Sequence, residues 1–134
     1  PMESILPRGR EPALRVRTRP ADANQYGDIC GGWIMAQVDV AGAIVAKQRA
    51  RGRVATVSVD AFVFKQPVSI GDVVSFYAEV VRSGRTSVTV NVEVFAERDP
   101  ARPITVKVTE ATLTYVAIDQ QGSKRSLPES EQGS

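Results

Sequence analysis

The feature of this sequence that most restricts its fold is the stretch Gly31–Ala50, which is apolar or small almost all round a helical wheel. Its members include Ile34, Met35, Ala36, Val38, Val40, Ala41, Ala43, Ile44, Val45 and Ala46. A helix on a protein surface keeps one polar face, so a helix without one belongs in the interior. Basic residues in the last turn, followed by Gly52, favour a helix end at that point. The sequence therefore predicts one central helix, enclosed by the rest of the protein.

The segments on both sides of this helix have the pattern of β-strands. A short strand is predicted at residues 14–19, and a polar loop at residues 20–30 connects it to the helix. After the helix, β-branched and alternating residues predict four further strands, at residues 54–65, 73–81, 86–97 and 104–118. Ser83-Gly84-Arg85 is typical of a hairpin turn. The alternation of the last strand changes phase near Glu110, which predicts a β-bulge.

This order of elements indicates an α+β fold in a single domain of 134 residues. A strongly curved antiparallel sheet wrapped around the helix satisfies the pattern. The polar, aperiodic termini, residues 1–12 and 126–134, are expected to be flexible. One curved sheet covers only part of a helix and leaves an edge strand open, so we expect at least a dimer.

Composition narrows the classes of partner and the compartment. The net charge of +2 is too small to indicate nucleic acid or a membrane surface as a partner. No apolar run approaches the length of roughly 18–20 residues that spans a bilayer. The single cysteine, Cys30, excludes an internal disulfide and fits a reducing compartment. With no signal-peptide core at the start, we expect a cytoplasmic protein.

The sequence contains no histidine, which excludes several kinds of site. Histidine-based triads, His–Asp dehydratase dyads and histidine-rich metal sites cannot be built from this chain. With one cysteine, a zinc site would depend on carboxylates, which are poor ligands for zinc by themselves. We therefore expect neither a metal nor a redox cofactor, and acid–base chemistry falls to Asp, Glu, Lys or Tyr.

Asp39 is the most informative single position, because it is a carboxylate inside the apolar helix. Its neighbours one turn away are Met35, Ala36, Gly42 and Ala43, and no basic residue follows on the helix before Lys47. Burying an unpaired carboxylate costs several kcal/mol. Backbone amides of a neighbouring loop would satisfy it as a structural residue. Alternatively, Asp39 is a catalytic carboxylate retained for its chemistry, which is our hypothesis.

The residues before Asp39 offer further polar groups. The bare backbone and free N–H groups of Gly31 and Gly32 at the helix start suit an oxyanion site, although a glycine pair can equally serve a tight turn. At 1.5 Å per residue, Asp39 lies about 12 Å along the axis from Gly31. One substrate contacts both only if it runs along the helix or if the helix begins later. Asn24 is either a turn former or holds a water or carbonyl through its amide.

The run PADANQYGDICGGWIMAQVD, residues 20–39, resembles the signature of YciA-type bacterial acyl-CoA thioesterases. The resemblance continues through residues 52–57, 71–73 and 109–111 and covers most of the chain, from Leu14 to Leu127. It implies a hotdog fold, in which a curved sheet wraps one long helix. It also implies hydrolysis of acyl-CoA thioesters and a dimer with active sites at its interface, usually assembled into a trimer of dimers.

Carried over by position, Asp39 matches the catalytic carboxylate of that family, and Asn24 matches an asparagine that completes the site from the partner chain. Gly31 and Gly32 match the glycines whose amides polarise the thioester carbonyl, and Thr56 lies where relatives place a polar residue near the attacking water. The positions expected to bind substrate or its CoA moiety are Arg53, Val57, Arg82, Gly84, Arg85, Thr86 and Ser87, and Arg51 is a further candidate for the phosphates. Cys30 departs from the phenylalanine usual there.

Several alternatives stay open at this point. Asp39 would act as a general base on water or, less readily, as a nucleophile. A non-catalytic acyl-CoA-binding or sensing module has the same fold, but a DNA-reading sensor needs a helix-turn-helix for which too few residues precede Leu14. A hydratase or dehydratase usually recruits histidine, and a plain oligomeric scaffold leaves Asp39 unexplained. The acyl length and the choice between hexamer, tetramer and dimer are not determined.

Overall fold

The computed structural model describes residues 3–60 and 63–129. Within them the elements follow the predicted order, with one long helix and five strands, so the α+β prediction is confirmed. They are β1 (Leu14–Arg17), a single 3-10 turn (Pro20–Asp22), α1 (Gly31–Ala50), β2 (Val54–Asp60), β3 (Val73–Ser83), β4 (Ser87–Arg98) and β5 (Ile104–Ala117). The bounds of α1 are those predicted. The strand predicted at 54–65 is shorter: it ends at Asp60, and residues 63–65 are not in a strand.

The five strands form one curled antiparallel sheet in the order β1-β3-β4-β5-β2, with α1 packed against its inner side. The core lies between them. Val38 and Ala41 of α1 are fully buried, as are the alternate valines of the central strand β4: Val88, Val90, Val92 and Val94. The period-two alternation in β4 therefore selects the face that meets the helix, as the sequence predicts.

Among the described residues, β-bulges interrupt the register of three strands of this sheet. The bulge predicted near Glu110 is present in β5, where Val108 is the additional residue between the paired Lys107 and Thr109. The registers of β2 and β3 also shift, which leaves Val57 and Val81 without a paired residue; these two bulges were not predicted. Such an insertion bends a strand and redirects the side chains beside it. The shift at Val57 matters for the site described below.

The prediction that α1 is enclosed on every side is wrong for a single chain. Met35 and Val40 of α1 are 45% and 48% exposed, and Val57 and Val59 of the edge strand β2 are 56% and 43% exposed. We refer to these four apolar residues as the open face. A sheet packs against one side of a helix only, so a helix apolar all round keeps an uncovered side in one chain.

Both chain ends contact the folded body within the described residues. The amide of Ser4 donates to the carbonyl of Thr105 at 2.6 Å, and that of Leu127 donates to Arg85 at 2.8 Å. Arg49 donates to the carbonyl of Pro128 at 2.6 Å. Flexibility of residues 1–12 and 126–134 stays a prediction, and residues 1–2 and 130–134 lie outside the described part. In the described ranges no helix is long and apolar enough to cross a bilayer.

The side of the sheet that faces away from α1 carries a charged network. The Lys107 Nζ donates to Glu110 at 2.7 Å and to Glu93 at 2.9 Å, and the Asn91 amide donates to Glu110 at 3.1 Å. The hydrogen bond from Lys107, followed by that from Asn91, holds the pKa of Glu110 below its ordinary value, against the opposing effect of burial. Because these donors favour the charged carboxylate, the network contributes stability only while Glu110 is ionised.

We therefore expect Glu110→Gln to lower the free energy of unfolding at about pH 7, with the difference from wild type shrinking towards about pH 3. The sign follows from the lowered pKa: the unfolded chain takes up the proton first, so the stabilisation disappears as the pH falls through the folded value. Denaturant unfolding at one fixed protein concentration measures it. Glu79→Gln is the control, because Glu79 lies on the same side, opposite Asn91, without an ion pair to any described residue. An equal loss at both pH values would contradict the assignment.

Candidate functional site

Asp39 lies midway along α1, half-buried, where the helix meets the edge strand β2 and the end of β5. The Thr56 hydroxyl donates to its Oδ1 at 2.7 Å, and the Tyr115 hydroxyl donates to the same oxygen at 3.1 Å. Its Oδ2 makes no hydrogen bond to any residue that the structure describes. Loop amides, the structural alternative for Asp39, are not its partners within those residues. Both donors to the carboxylate are thus neutral hydroxyls, and both meet the same oxygen.

Tyr115 was not among the candidate residues from the sequence, yet it touches Asp39 twice. Its hydroxyl also reaches the backbone carbonyl of Asp39, at 2.9 Å. Burial, then the charge of Asp39 and its hydrogen bond, raise the pKa of Tyr115 well above the ordinary value, so the phenol stays protonated and donates at neutral pH. One feature of the sequence could have identified it: Tyr115 lies in an apolar strand, and a buried tyrosine hydroxyl needs a hydrogen-bond partner.

Gly42 makes this approach possible. It follows Asp39 by one turn of α1, and a Cβ built on it would lie 3.1 Å from Tyr115 Cζ and would collide with the hydroxyl oxygen. Any other residue at this position would displace the ring from the helix backbone. The glycine is therefore explained by close packing against Tyr115.

The structure brings Thr56 to Asp39, as the sequence predicts. Thr56 pairs in register with Tyr115, and the bulge at Val57 follows immediately. Since a bulge redirects neighbouring side chains, it accounts for the way this exposed edge strand presents its hydroxyl to the helix. Val57 itself projects into the open face. Asp39 and Thr56 are thus each followed in sequence by an exposed valine, Val40 and Val57.

At the start of α1, the amides of Gly31 and Gly32 have no acceptor among the described residues, whereas the amides of Trp33 and Ile34 donate to the carbonyl of Cys30 at 3.0 and 3.4 Å. Cys30 is the N-cap and makes no side-chain cap bond. An apolar cavity of about 340 Å³ adjoins this end, lined by Ile29, Gly31, Ile34, Phe64, Lys65, Gln66, Pro67 and Val68. Free amides beside a cavity suit a developing negative charge.

These amides and Asp39 of the same helix do not converge. The helix begins at Gly31, so eight residues at 1.5 Å still separate Gly31 from Asp39 by about 12 Å along the axis. The possibility of a later helix start is excluded. A single carbonyl group is far too small to contact both ends of that distance.

Asn24 makes its hydrogen bonds inside its own loop. Its Oδ1 accepts from the amides of Tyr26 at 2.9 Å and Asp28 at 3.1 Å, and the residue is exposed. Asn24 therefore has the turn-forming role that was one of the two alternatives predicted for it. Its side-chain NH₂ has no partner in the described part of the chain, and the structure shows no contact between Asn24 and Asp39 of one chain.

The predicted CoA-binding residues fall into two groups. Arg82, Gly84, Arg85, Thr86 and Ser87 lie together at the β3–β4 hairpin, which the Gly84 amide closes by donating to the Ser87 carbonyl at 2.8 Å. In register, Thr56 pairs with Tyr115, Tyr115 with Val88, and Val88 with Ser83. With strands about 4.8 Å apart, the hairpin lies at the same end of the sheet as Asp39, about 14 Å from β2.

The second group lies at the end of α1. Arg53 donates to the carbonyls of Asp119 and Gln120 at 3.4 and 3.2 Å, so it already supports the turn after β5. Arg51 is the helix C-cap in the left-handed conformation, at φ 53°. As for metals, the residues that the structure describes contain no group of three or more Cys, Asp and Glu side chains able to hold an ion.

Residues 26–102, more than half of the chain, match the family model of the thioesterase superfamily. The acyl-CoA thioester hydrolase YciA of Escherichia coli strain K12 is 50% identical over 117 residues, which cover 86% of this chain and 89% of that protein. Both findings concern the sequence segment that holds Asp39 and the helix start.

Comparison with solved structures leads to the same family. The hexameric hotdog-fold thioesterase of Campylobacter jejuni superimposes with a TM-score of 0.84 at 45% identity, covering 88% of this chain and 90% of that one. A hexameric broad-specificity acyl-coenzyme A thioesterase, crystallised as a mutant with an aspartate replaced by alanine, gives 0.86 at 40% identity, covering 91% and 89%. With its curled sheet on one long helix, the chain has the hotdog fold and belongs to the thioesterase superfamily, among the YciA-type acyl-CoA thioester hydrolases.

Proposed function

We propose that this chain hydrolyses acyl-CoA thioesters to the free acid and CoA, with Asp39 as the general base that activates water. The observation that carries the proposal is the asymmetric setting of its carboxylate: Oδ1 accepts from Thr56 and Tyr115, while Oδ2 accepts from no residue that the structure describes. Because Oδ2 has no such hydrogen bond to break, it is the oxygen that would accept a proton from water. Relatives that are half identical to this chain are named for the same substrate class.

The oxyanion would be stabilised by the free amides of Gly31 and Gly32. Because these amides lie about 12 Å from Asp39 on one helix, the amides that meet the same carbonyl must come from another chain. We assign them to Gly31 and Gly32 of the partner subunit. The uncommitted NH₂ of Asn24, also from the partner, would then hold the thioester carbonyl or the water.

A second copy of the chain would also cover the open face. Exposed apolar side chains around a carboxylate are the expected composition of an interface that encloses an active site. Both solved relatives described above are hexameric. The assembly proposed for this chain is therefore a dimer as the minimal unit, arranged as a trimer of dimers.

The CoA phosphates would meet the β3–β4 hairpin, whose Arg82 and Arg85 are exposed at the same end of the sheet as Asp39. Guanidinium groups bind phosphates in a bidentate manner. Arg53 is a weaker candidate, because its guanidinium already donates to two carbonyls. A cytoplasmic location stays a prediction from the sequence.

Asp39→Asn should lower kcat for thiol release from acyl-CoA by at least about 100-fold, as for the loss of a general base. A chain-length series of acyl-CoA substrates, followed by a thiol reagent, measures it and defines the preferred acyl group. Asp99→Asn is the control, because it removes the same charge from an exposed turn after β4. Near-full activity of Asp39→Asn would refute the assignment. Tight acyl-CoA binding with no turnover in wild type would favour the sensing module instead.

Activity should be unaffected by strong chelators, because a chain without histidine and with one cysteine lacks the usual ligands of a catalytic zinc. Thiol release is measured before and after dialysis against EDTA. A loss of turnover that a divalent ion restores would contradict the proposed cofactor-free reaction.

Shared sites should be revealed by complementation. Asp39→Ala and Asn24→Ala homomers should both be impaired, whereas co-refolding them should recover about a quarter of wild-type sites, because about half of random dimers are mixed and each holds one intact site. Asp39→Ala co-refolded with Asp39→Asn is the matched control and should recover nothing. Proven subunit exchange without recovery would place both residues in one chain.

A further inference from the structure

The contact between Tyr115 and Asp39 suggests more than core packing, because it joins a buried ring to the reacting group. The Tyr115 side chain is fully buried, so a substrate has no direct access to it. Its hydroxyl nevertheless bonds to both the carboxylate and the backbone carbonyl of Asp39, at 3.1 and 2.9 Å. One donor thereby ties the side chain of Asp39 to the helix from which it projects.

This double contact fixes the orientation of the carboxylate. Thr56 approaches Oδ1 from the edge strand, and Tyr115 approaches the same oxygen from β5. With both donors on Oδ1, rotation of the carboxylate about its last bond would break two hydrogen bonds. Thr56 by itself would leave the group free to swing, because it belongs to an exposed edge strand.

We propose that Tyr115 is a positioning residue for Asp39, which directs Oδ2 towards the substrate, and that Gly42 is required because only a glycine lets the hydroxyl reach the helix. This inference rests on the proposed thioesterase function. It adds a pair, Gly42 and Tyr115, that acts on the reaction through Asp39.

The other groups near Asp39 do not fix the orientation of its carboxylate in this way. Among the described residues, α1 carries no further charge near it before Lys47, and β4 presents the apolar Val88 and Val90. The edge strand β2 contributes the neutral Thr56; its charged neighbours are Arg53, just before the strand, and Asp60, the last residue of the strand. Tyr115 is thus the titratable group in direct contact, and it stays neutral because its pKa is raised.

Tyr115→Phe tests the role, because it keeps the ring and removes only the hydroxyl. Loss of a hydrogen bond to a charged group should lower kcat for acyl-CoA hydrolysis by about 10-fold or more, with KM nearly unchanged. The split between kcat and KM is the readout of positioning, because a misdirected carboxylate slows the chemical step without weakening substrate binding. A tyrosine that only supports the fold would lower the free energy of unfolding and leave the kcat of the folded enzyme unchanged.

Gly42→Ala supplies the second variant. Alanine favours a helix over glycine, so a loss of activity cannot come from helix propensity. The added Cβ should displace the hydroxyl and lower kcat in the wild-type background by about as much as Tyr115→Phe does. In the Tyr115→Phe background it should cost clearly less, since the oxygen that it meets is absent.

The outcomes separate this inference from the proposed function. If Asp39→Asn is inactive while Tyr115→Phe keeps the wild-type kcat, the positioning role is overturned and the thioesterase proposal stands. If Gly42→Ala costs the same factor in both backgrounds, the coupling between the two residues is refuted. If Asp39→Asn retains full activity, both proposals fall together. Circular dichroism and unfolding of each variant at one concentration confirm that the fold is kept.

Discussion

The placement of the Asp39 carboxyl group on an apolar helix is the constraint on which the rest of the site depends. A buried carboxylate needs a partner, and the usual partner is a basic side chain. Here the donors are the hydroxyls of Thr56 and Tyr115, which are neutral. A cation would stabilise the charged form much more strongly and would weaken a carboxylate as a base. Hydroxyls hold the group in place without pairing it with a positive charge.

Those two hydroxyls are far from Asp39 in sequence, by 17 and 76 residues. Their meeting depends on sheet register, since Thr56 and Tyr115 face each other across β2 and β5. A shift of one residue in either strand would turn the hydroxyl side chain of that strand to the other side of the sheet. The bulge at Val57 and the glycine at position 42 complete the arrangement, one by redirecting the edge strand and the other by admitting the phenol ring. Strand register and helix packing therefore determine which groups contact Asp39.

The open face connects this geometry to assembly. The apolar residues Met35 and Val40 lie on the same helix as Asp39, Val57 follows its partner Thr56, and all three are about half exposed in one chain. Covering them with a second copy would remove apolar surface from water and would shield the site from bulk water, so the same burial would favour both association and catalysis. The free amides at the helix start lie too far from Asp39 to serve it within one chain, which gives a separate geometric reason for a shared site.

The sequence by itself determined the elements and the outline of the site. The apolar wheel of residues 31–50 located α1 to the residue, the alternation in residues 88–94 located the buried side of β4, and the phase change near Glu110 located a bulge, because each is a local periodicity of the backbone. The carboxylate at position 39 stood out because no neighbour on its helix could neutralise it. The family signature supplied Thr56.

Only the tertiary structure decided which groups meet Asp39 and which side of α1 stays uncovered. Tyr115 looked like one more alternating core residue, and its hydroxyl acquires a role only through strand pairing and through the glycine on the opposite helix. The end of β2 at Asp60 and the bulges at Val57 and Val81 were likewise invisible, since edge-strand length and register depend on neighbouring strands more than on local propensity. Contacts between distant residues are set by how elements pack, and no local pattern records them.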